Sequence, residues 1–367
     1  MEELQKALHE ALDAFDFGAP VVDVVRLGQG HINDTFVVHT RPGARFILQR
    51  ISPAAFKRPD QLMENVINIT EYLGREIEKN GGDRSREALK VLRPRSGQPC
   101  FTDSEGGPWR LYPYVEHTVC YQAAETPELF AASGRAFGRF QRLLRDYPAD
   151  TLYETIPNFH NTEDRLVRLK TAIASDPLGR AAQCQAEIKF MLDRERDCSV
   201  ALDAMREGKL PLRVTHNDTK LSNVLMDETT GEGVCIVDLD TVMPGLAIYD
   251  FGDSIRFGAN HCAEDETDLS KVDLDLGLFA VYTEAFLSEA RDVLTDAEIA
   301  YLPWGAKLMT LECGIRFLTD YLVGDVYFHI AREGHNLDRC RTQCKLVSDM
   351  EEHWDELNAI VAQYRGG

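Results

Sequence analysis

Two short apolar runs, Val224-Leu-Met226 and Val234-Cys-Ile-Val237, flank the turn Asp227-Glu-Thr-Thr-Gly-Glu-Gly233 and constrain this chain more than any other feature. Paired antiparallel, they set the start of the first beside the end of the second. Asn223 and Asp238 then become neighbours, one amide oxygen and one carboxylate. That pair suits a hard cation that keeps several of its waters. The turn type fixes the register, so a metal site follows from a hairpin.

The residues feeding the first strand carry the chemistry. His216, Asp218 and Asn223 reproduce the His-x-Asp-x-x-x-x-Asn spacing of a kinase catalytic loop, where the Asp accepts or orients the proton of the attacking hydroxyl and the Asn holds magnesium. The chain also contains a literal Asp250-Phe-Gly252, the metal-binding triplet of protein kinases. Pro244-Gly245, read as a turn, separates it from the hairpin, so Asp250 has no register with Asn223. Asp238 takes the metal position, and Asp250 is expected to cap the next helix or brace the catalytic loop.

At 367 residues the chain has room for two lobes, each with its own core. A net charge of -20 argues against nucleic acid and anionic membrane surfaces as partners. Nine cysteines lack zinc spacing and are odd in number; with no signal peptide, they fit a reduced cytoplasm. No apolar run reaches the roughly 20 residues that cross a bilayer.

The period of the apolar residues predicts a helix over 2–16, strands over 21–27, 34–40 and 45–51, and a long helix over 59–79. Strands at 88–92 and 109–114 complete an amino-terminal lobe. Gly28 and Gly30, in Leu27-Gly-Gln-Gly-His-Ile-Asn33, let backbone approach phosphate oxygens, although Asn33 replaces the third glycine of a kinase loop. The third strand carries Gln49 where a kinase has its phosphate-pairing lysine. Arg50 points to the opposite face if the strand is regular, and Glu64 and Glu71 are candidate partners from the long helix. In Tyr112-Pro-Tyr-Val-Glu-His117, backbone groups of Tyr114, Val115 and Glu116 would bind adenine, with a lobe boundary near residue 117. Beyond it, helices are expected over 126–144, 162–175, 180–207, 246–259, 274–290, 295–323 and 337–364. The fold class is therefore α+β: a bilobal, protein-kinase-like fold with residues 1–117 binding nucleotide and 118–367 carrying catalysis and the acceptor.

The segments His216-Asn-Asp-Thr-Lys-Leu-Ser-Asn-Val-Leu-Met226, Val237-Asp-Leu-Asp-Thr-Val-Met-Pro-Gly245 and Tyr249-Asp-Phe-Gly-Asp-Ser-Ile-Arg-Phe-Gly258 resemble the aminoglycoside phosphotransferase and choline kinase superfamily. Within it, Gly28-Gln-Gly-His-Ile-Asn33, Ile47-Leu-Gln49, Val115-Glu-His-Thr118, Glu312-Cys-Gly-Ile-Arg-Phe317 and Asp325-Val-Tyr-Phe328 are similar to N-acetylhexosamine 1-kinases, in which the missing lysine is shared. The resemblance implies Asp218 as catalytic base, Asn223 and Asp238 as metal ligands and Asp240 as a possible outer ligand. It also implies that His31, Asn217, Phe257, Arg316 and Tyr327 surround the sugar.

The expected reaction is in-line transfer from ATP, with Mg2+, to the anomeric hydroxyl of GlcNAc or GalNAc, giving an α-1-phosphate. The alternative is a kinase for another small acceptor: a different sugar, an amino alcohol or an aminoglycoside. A glycosyltransferase reading Asp238-Leu-Asp240 as its metal motif would leave His216, Asp218 and Asn223 without a role.

Overall fold

The computed structural model describes residues 2–28 and 33–365. A first helix, α1 (Glu2–Ala14), precedes strands β1 (Val21–Arg26), β2 (Asp34–Thr40) and β3 (Arg45–Arg50). The long helix α2 (Pro59–Lys79) and a single turn, α3 (Arg84–Glu87), come next, followed by β4 (Phe101–Thr102) and β5 (Pro108–Pro113). The strands form one antiparallel sheet in the order β1-β2-β3-β5-β4. Its two faces follow from the period-two alternation of side chains. Phe36, Val38, Leu48, Trp109 and Leu111 pack against Ala7 and Ala11 of α1 and Phe15 just after it. The opposite face carries Gln49, Arg110 and Tyr112.

Beneath that second face, Val66, Ile69, Leu73 and Ile77 of α2 share a core with Phe140, Leu143, Val214, Leu239 and Val242 from the helical part of the chain. The long helix thus joins sheet lobe to helical lobe. One sequence expectation fails in this region. Residues 88–92 make only one bridge, Leu92 to Leu111, because Ala88 and Leu89 turn into the α2 core and Pro94 lacks the N–H that would extend a ladder. The edge strand is instead β4, paired with β5 across the turn Asp103–Gly107.

The helical lobe begins with β6 (Thr118–Val119) and contains α4 (Pro127–Leu143), α5 (Thr162–Ser175), α6 (Gln185–Asp193) and α7 (Val200–Arg206). The strands β7 (Arg213–Thr215), β8 (Val224–Asp227), β9 (Gly233–Ile236) and β10 (Met243–Gly245) carry the site. Then follow α8 (Ala247–Gly258), α9 (Leu276–Ala290), α10 (Asp296–Ala300), α11 (Leu302–Val323), α12 (His335–Glu352) and α13 (Trp354–Ala362). Residues expected as one helix over 180–207 break into α6 and α7. The run Asp193-Arg-Glu-Arg-Asp197 offers no apolar side chain to hold a continuous helix on the core. Pro303 at the start of α11 splits the segment expected over 295–323, and His353 separates α12 from α13. Pro244-Gly245 also differs from expectation: it lies in β10, paired with β7 through Pro244 opposite Val214. Among the described residues no helix is long and apolar enough to cross a membrane.

Two glycines set the approach of α8 to α11. A Cβ on Gly252 would run into the carbonyl oxygen of Gly305, and one on Gly305 would meet the carbonyl of Ile248. The glycine of the literal Asp-Phe-Gly is thus a packing residue. Gly252→Ala forces two helix backbones apart and should destabilise the protein by at least ~1–3 kcal/mol, the usual range for overpacking, read by urea unfolding. A loss below a few tenths of that would mean that the helices do not cross this closely.

Candidate active site

The loop between β7 and β8 has little secondary structure to satisfy its amides, and α8 supplies the acceptors. Asp250, fully buried, accepts from the backbone N–H of His216 (2.9 Å) and Asn217 (2.8 Å) and from Nε2 of Gln141 (2.8 Å). Three residues along the same helix face, Asp253 accepts from the N–H of Thr219 (2.9 Å), and Arg256 donates to Asp253 in turn. Asp250 therefore braces the loop. Burial pushes its pKa up, and the amide hydrogen bonds oppose that shift.

Held this way, Asn217 adopts a left-handed backbone conformation (φ 65°) and sends its amide to the carbonyl of Thr241 (2.8 Å). His216 donates from Nε2 to the carbonyl of Val237 (2.9 Å), and its Nδ1 accepts from the N–H of Asp218 (3.3 Å), which fixes the tautomer. The Asp218 carboxylate receives Nζ of Lys220 (2.9 Å) and Nδ2 of Asn223 (3.1 Å), both on Oδ2. Among the described residues its Oδ1 carries no hydrogen bond. Burial would raise this carboxyl, but the charge and hydrogen bond of Lys220, then His216 and Asn223, outweigh it and hold it below the usual range.

The hairpin forms in the expected register, with Val224 opposite Ile236 and the N–H of Val237 donating to the carbonyl of Asn223 (2.9 Å). Asp238 follows in a left-handed conformation (φ 60°), an uncommon one for a non-glycine residue and one that clusters at functional sites. Its carboxylate makes no hydrogen bond among the described residues. Burial first, then the charges of Asp240 and Asp218, push it up to about 6, against the pull of Lys220 and Arg110. An Asn and an unpaired Asp fit magnesium, which is held by one or two protein groups plus phosphates and water; no cluster of three His, Cys, Asp or Glu ligands exists among the described residues. Asp240, expected as an outer ligand, has both oxygens engaged: one by Nη1 of Arg110, the other by Nδ2 of Asn33 (2.7 Å).

On the nucleotide side, Gly28 has a positive φ of 48° at the start of the glycine loop; Gly30 and His31 lie outside the described residues. Asn33 also accepts from the N–H of Ser52 (3.0 Å). Gln49 is paired across the strands with Thr35 and Arg110 and hydrogen-bonds both, at 3.0 Å. Arg50 turns to the far face and pairs with Asp103 (2.9 Å). Neither helix glutamate serves the third strand: Glu64 is exposed and Glu71 pairs with Arg84 (2.7 Å). In the linker, Tyr114 donates its N–H to Arg45 O (3.0 Å), the carbonyl of Val115 accepts from Thr118, and the Glu116 carboxylate takes the Arg45 guanidinium.

On the acceptor side, His160, unassigned from sequence, links the catalytic loop to α11: one ring nitrogen meets the carbonyl of Asn217 (3.2 Å), the other the buried Glu312 (2.9 Å). Arg316, one turn after Glu312, lies over the rings of Phe159 (5.8 Å), Tyr327 (5.7 Å) and Phe328 (5.3 Å). Arg165 is near enough that burial and then the Arg316 charge depress its pKa. Tyr327 is 68% exposed, on a loop whose N–H groups at Val326, Tyr327 and Phe328 all donate to Asp320. Phe257 ends α8, 40% exposed under Arg256 (3.9 Å). Lys220 was visible within the motif itself. Arg110, His160 and Arg165 left no signal, because their partners lie far off in sequence.

A sheet lobe on a helical lobe, with this loop running into a cation-type hairpin, defines the class of kinase-like phosphotransferases. The phosphotransferase enzyme family (APH) matches residues 23–279. That is well over half of the 367 residues, and the chain belongs to this family of small-molecule kinases. Among solved structures the fold is similar to an aminoglycoside phosphotransferase from Alicyclobacillus acidocaldarius subsp. acidocaldarius (14% identity, TM-score 0.61, covering 97% of this chain and 96% of that one). It is also similar to amicoumacin kinase hAmiN in complex with AMP-PNP, Ca2+ and Ami (17%, 0.59, 93% and 92%). A microcompartment-associated aminopropanol kinase gives 15%, 0.57, 96% and 98%.

The raised pKa of Asp238 leads to a stability prediction. A carboxyl whose folded pKa lies above its unfolded one destabilises the fold when ionised. Its contribution is neutral below pH ~4, and stability is lost as pH rises to about 6. In metal-free buffer at pH 7.5, Asp238→Asn should therefore raise stability by on the order of 3 kcal/mol. The gain should disappear near pH 4. Equal effects at both pH values would show that charge repulsion is not the cause.

Proposed function

We propose that this protein transfers the γ-phosphoryl group of ATP, with Mg2+, to the anomeric hydroxyl of an N-acetylhexosamine. The proposed lobes are 1–117 for nucleotide and 118–367 for catalysis and acceptor. The observation that carries the acceptor class is the positive charge beside Glu312, which His160 links to the loop carrying Asp218. Arg316 lies over the rings of Phe159, Tyr327 and Phe328, and Arg165 is close enough to feel its charge, with Glu312 held by His160, Arg316 and Arg165 below its usual pKa against the effect of burial. A cationic aminoglycoside or amino alcohol would meet like charge there. An uncharged acetamido sugar brings carbonyl and hydroxyl oxygens that accept from a guanidinium fork and ring faces that pack on aromatics.

The protein's own residues then divide the work. Lys220 and Asn223 hold Oδ2 of Asp218, and Oδ1 stays available to orient the acceptor hydroxyl and take its proton. The anomeric hydroxyl is the most acidic of the sugar, so a carboxylate of low pKa suffices in a loose transition state where positioning dominates. Asn223 and Asp238 would hold the metal, which neutralises charge on the transferring phosphates.

Asp218→Asn should lower kcat by ~10^2- to 10^4-fold with nucleotide binding retained. Half the wild-type turnover, with chemistry rate-limiting, would remove Asp218 from the reaction. Incubation with ATP and a panel of GlcNAc, GalNAc, other sugars, amino alcohols and aminoglycosides, read by proton-coupled phosphorus NMR, tests the acceptor. The expected product is an acid-labile phosphate coupled to an anomeric proton. An acid-stable 6-phosphate, or turnover confined to an amine, would replace the hexosamine reading with another acceptor.

Arg316→Ala should raise KM for the sugar and lower kcat as well, through misplacement of the hydroxyl. Arg316→Lys should recover only part of the loss, since an ammonium cannot reproduce a planar fork. Full recovery in steady-state kinetics would reduce the role of Arg316 to charge alone.

A further inference from the structure

The third strand lacks a cation at its phosphate-facing position, yet a cation stands one strand over. Arg110 of β5 is directly opposite Gln49 in register, on the same face of the sheet, and 1% exposed. Its Nε donates to Gln49 Oε1 (3.0 Å) and its Nη1 to Asp240. Gln49 passes its amide on to Thr35 (3.0 Å), and Asn33, at the end of the glycine loop, donates to the other oxygen of Asp240 (2.7 Å). A single row of hydrogen bonds thus runs Thr35–Gln49–Arg110–Asp240–Asn33, across three strands of the sheet and into the turn after the metal hairpin.

In protein kinases the phosphate lysine is itself paired with a glutamate of the long helix. Here the two candidate glutamates of α2 are elsewhere, Glu64 exposed and Glu71 on Arg84. We propose that the Arg110–Asp240 pair replaces that lysine–glutamate pair, with Arg110 supplying the fixed positive charge for the nucleotide phosphates and Asp240 serving as its counter-ion, not as a metal ligand. Asp238 is then the one carboxylate of Asp238-Leu-Asp240 that takes the metal. Arginine suits this post. Its planar fork binds Gln49 and Asp240 along fixed directions and keeps its charge when buried. A purely structural reason is weaker, because a buried ion pair seldom stabilises a fold more than apolar side chains of the same volume.

The inference rests on the ATP-dependent reading above, and its test separates the two. Affinity for ATP, AMP-PNP and adenosine is measured by calorimetry, with and without Mg2+, on wild type and on the charge-neutral double variant Arg110→Gln/Asp240→Asn. The same double variant carrying Gln49→Lys is measured in parallel, and folding is checked by thermal melts. The double variant should bind ATP at least about tenfold more weakly, in line with loss of a hydrogen-bonded charge, with adenosine affinity unchanged. Gln49→Lys should restore most of the ATP affinity by returning a charge to the third strand. ATP affinity within twofold of wild type in the double variant, or no recovery with Gln49→Lys, overturns the proposal. Should the double variant fail to fold, the apolar pair Arg110→Met/Asp240→Leu serves the same comparison with the same outcomes. Wild-type protein that binds no ATP would sink the kinase reading along with it, whereas wild-type binding with indifferent variants sinks the inference alone.

Discussion

Much of this molecule depends on one buried carboxylate accepting two consecutive backbone amides. The residues from His216 to Thr219 leave β7 and turn sharply, so their N–H groups lose ladder partners in a region closed to water. Orphaned amides there would each forfeit the desolvation energy of a buried polar group. Asp250 takes those of His216 and Asn217, and Asp253 takes that of Thr219. The loop is thereby fixed in a shape that includes a left-handed Asn217, and the Asp218 side chain is turned toward Lys220 and Asn223. A helix glutamine, Gln141, completes the acceptor's shell and ties the brace to α4.

The same helix determines where the acceptor side lies. Gly252 and Gly305 let α8 rest on α11 with backbone against backbone. Glu312 and Arg316 then project from α11 at a set height relative to the catalytic loop, and His160 bridges the remaining gap from Glu312 to the Asn217 carbonyl. One close helix crossing therefore relates Asp218 to Glu312 and Arg316, the groups proposed to meet the acceptor.

Charge in the site is dense but alternates. Asp218 pairs with Lys220, Asp240 with Arg110, and Asp253 with Arg256, so three of the five clustered aspartates have a cation and Asp250 has amides. Asp238 alone has neither, and burial, then the charges of Asp240 and Asp218, raise its pKa to about 6. A divalent cation beside it would relieve that repulsion. The overall charge of -20 says little about this arrangement, because the pairs are local.

The linear order of residues was enough to determine the hairpin, the neighbourhood of Asn223 and Asp238 and the outline of a sheet lobe followed by a helical one, and it narrowed Asp250 to a helix cap or a brace of the loop. Each of these rests on short-range periodicity or a fixed offset, which the backbone converts directly into geometry. Strand 88–92 and the unbroken helix over 180–207 were misread for the opposite reason: the competition for Ala88 and Leu89 came from α2 and α4, and the packing that α6 and α7 needed came from α11 and α12. The cation beside the missing lysine was invisible for the same cause. Arg110 and Asp240 are 130 residues apart, and no local pattern marks a pair that exists only where a sheet face meets the turn after a hairpin. Motifs specify which groups do the chemistry; long-range packing decided which charges surround them.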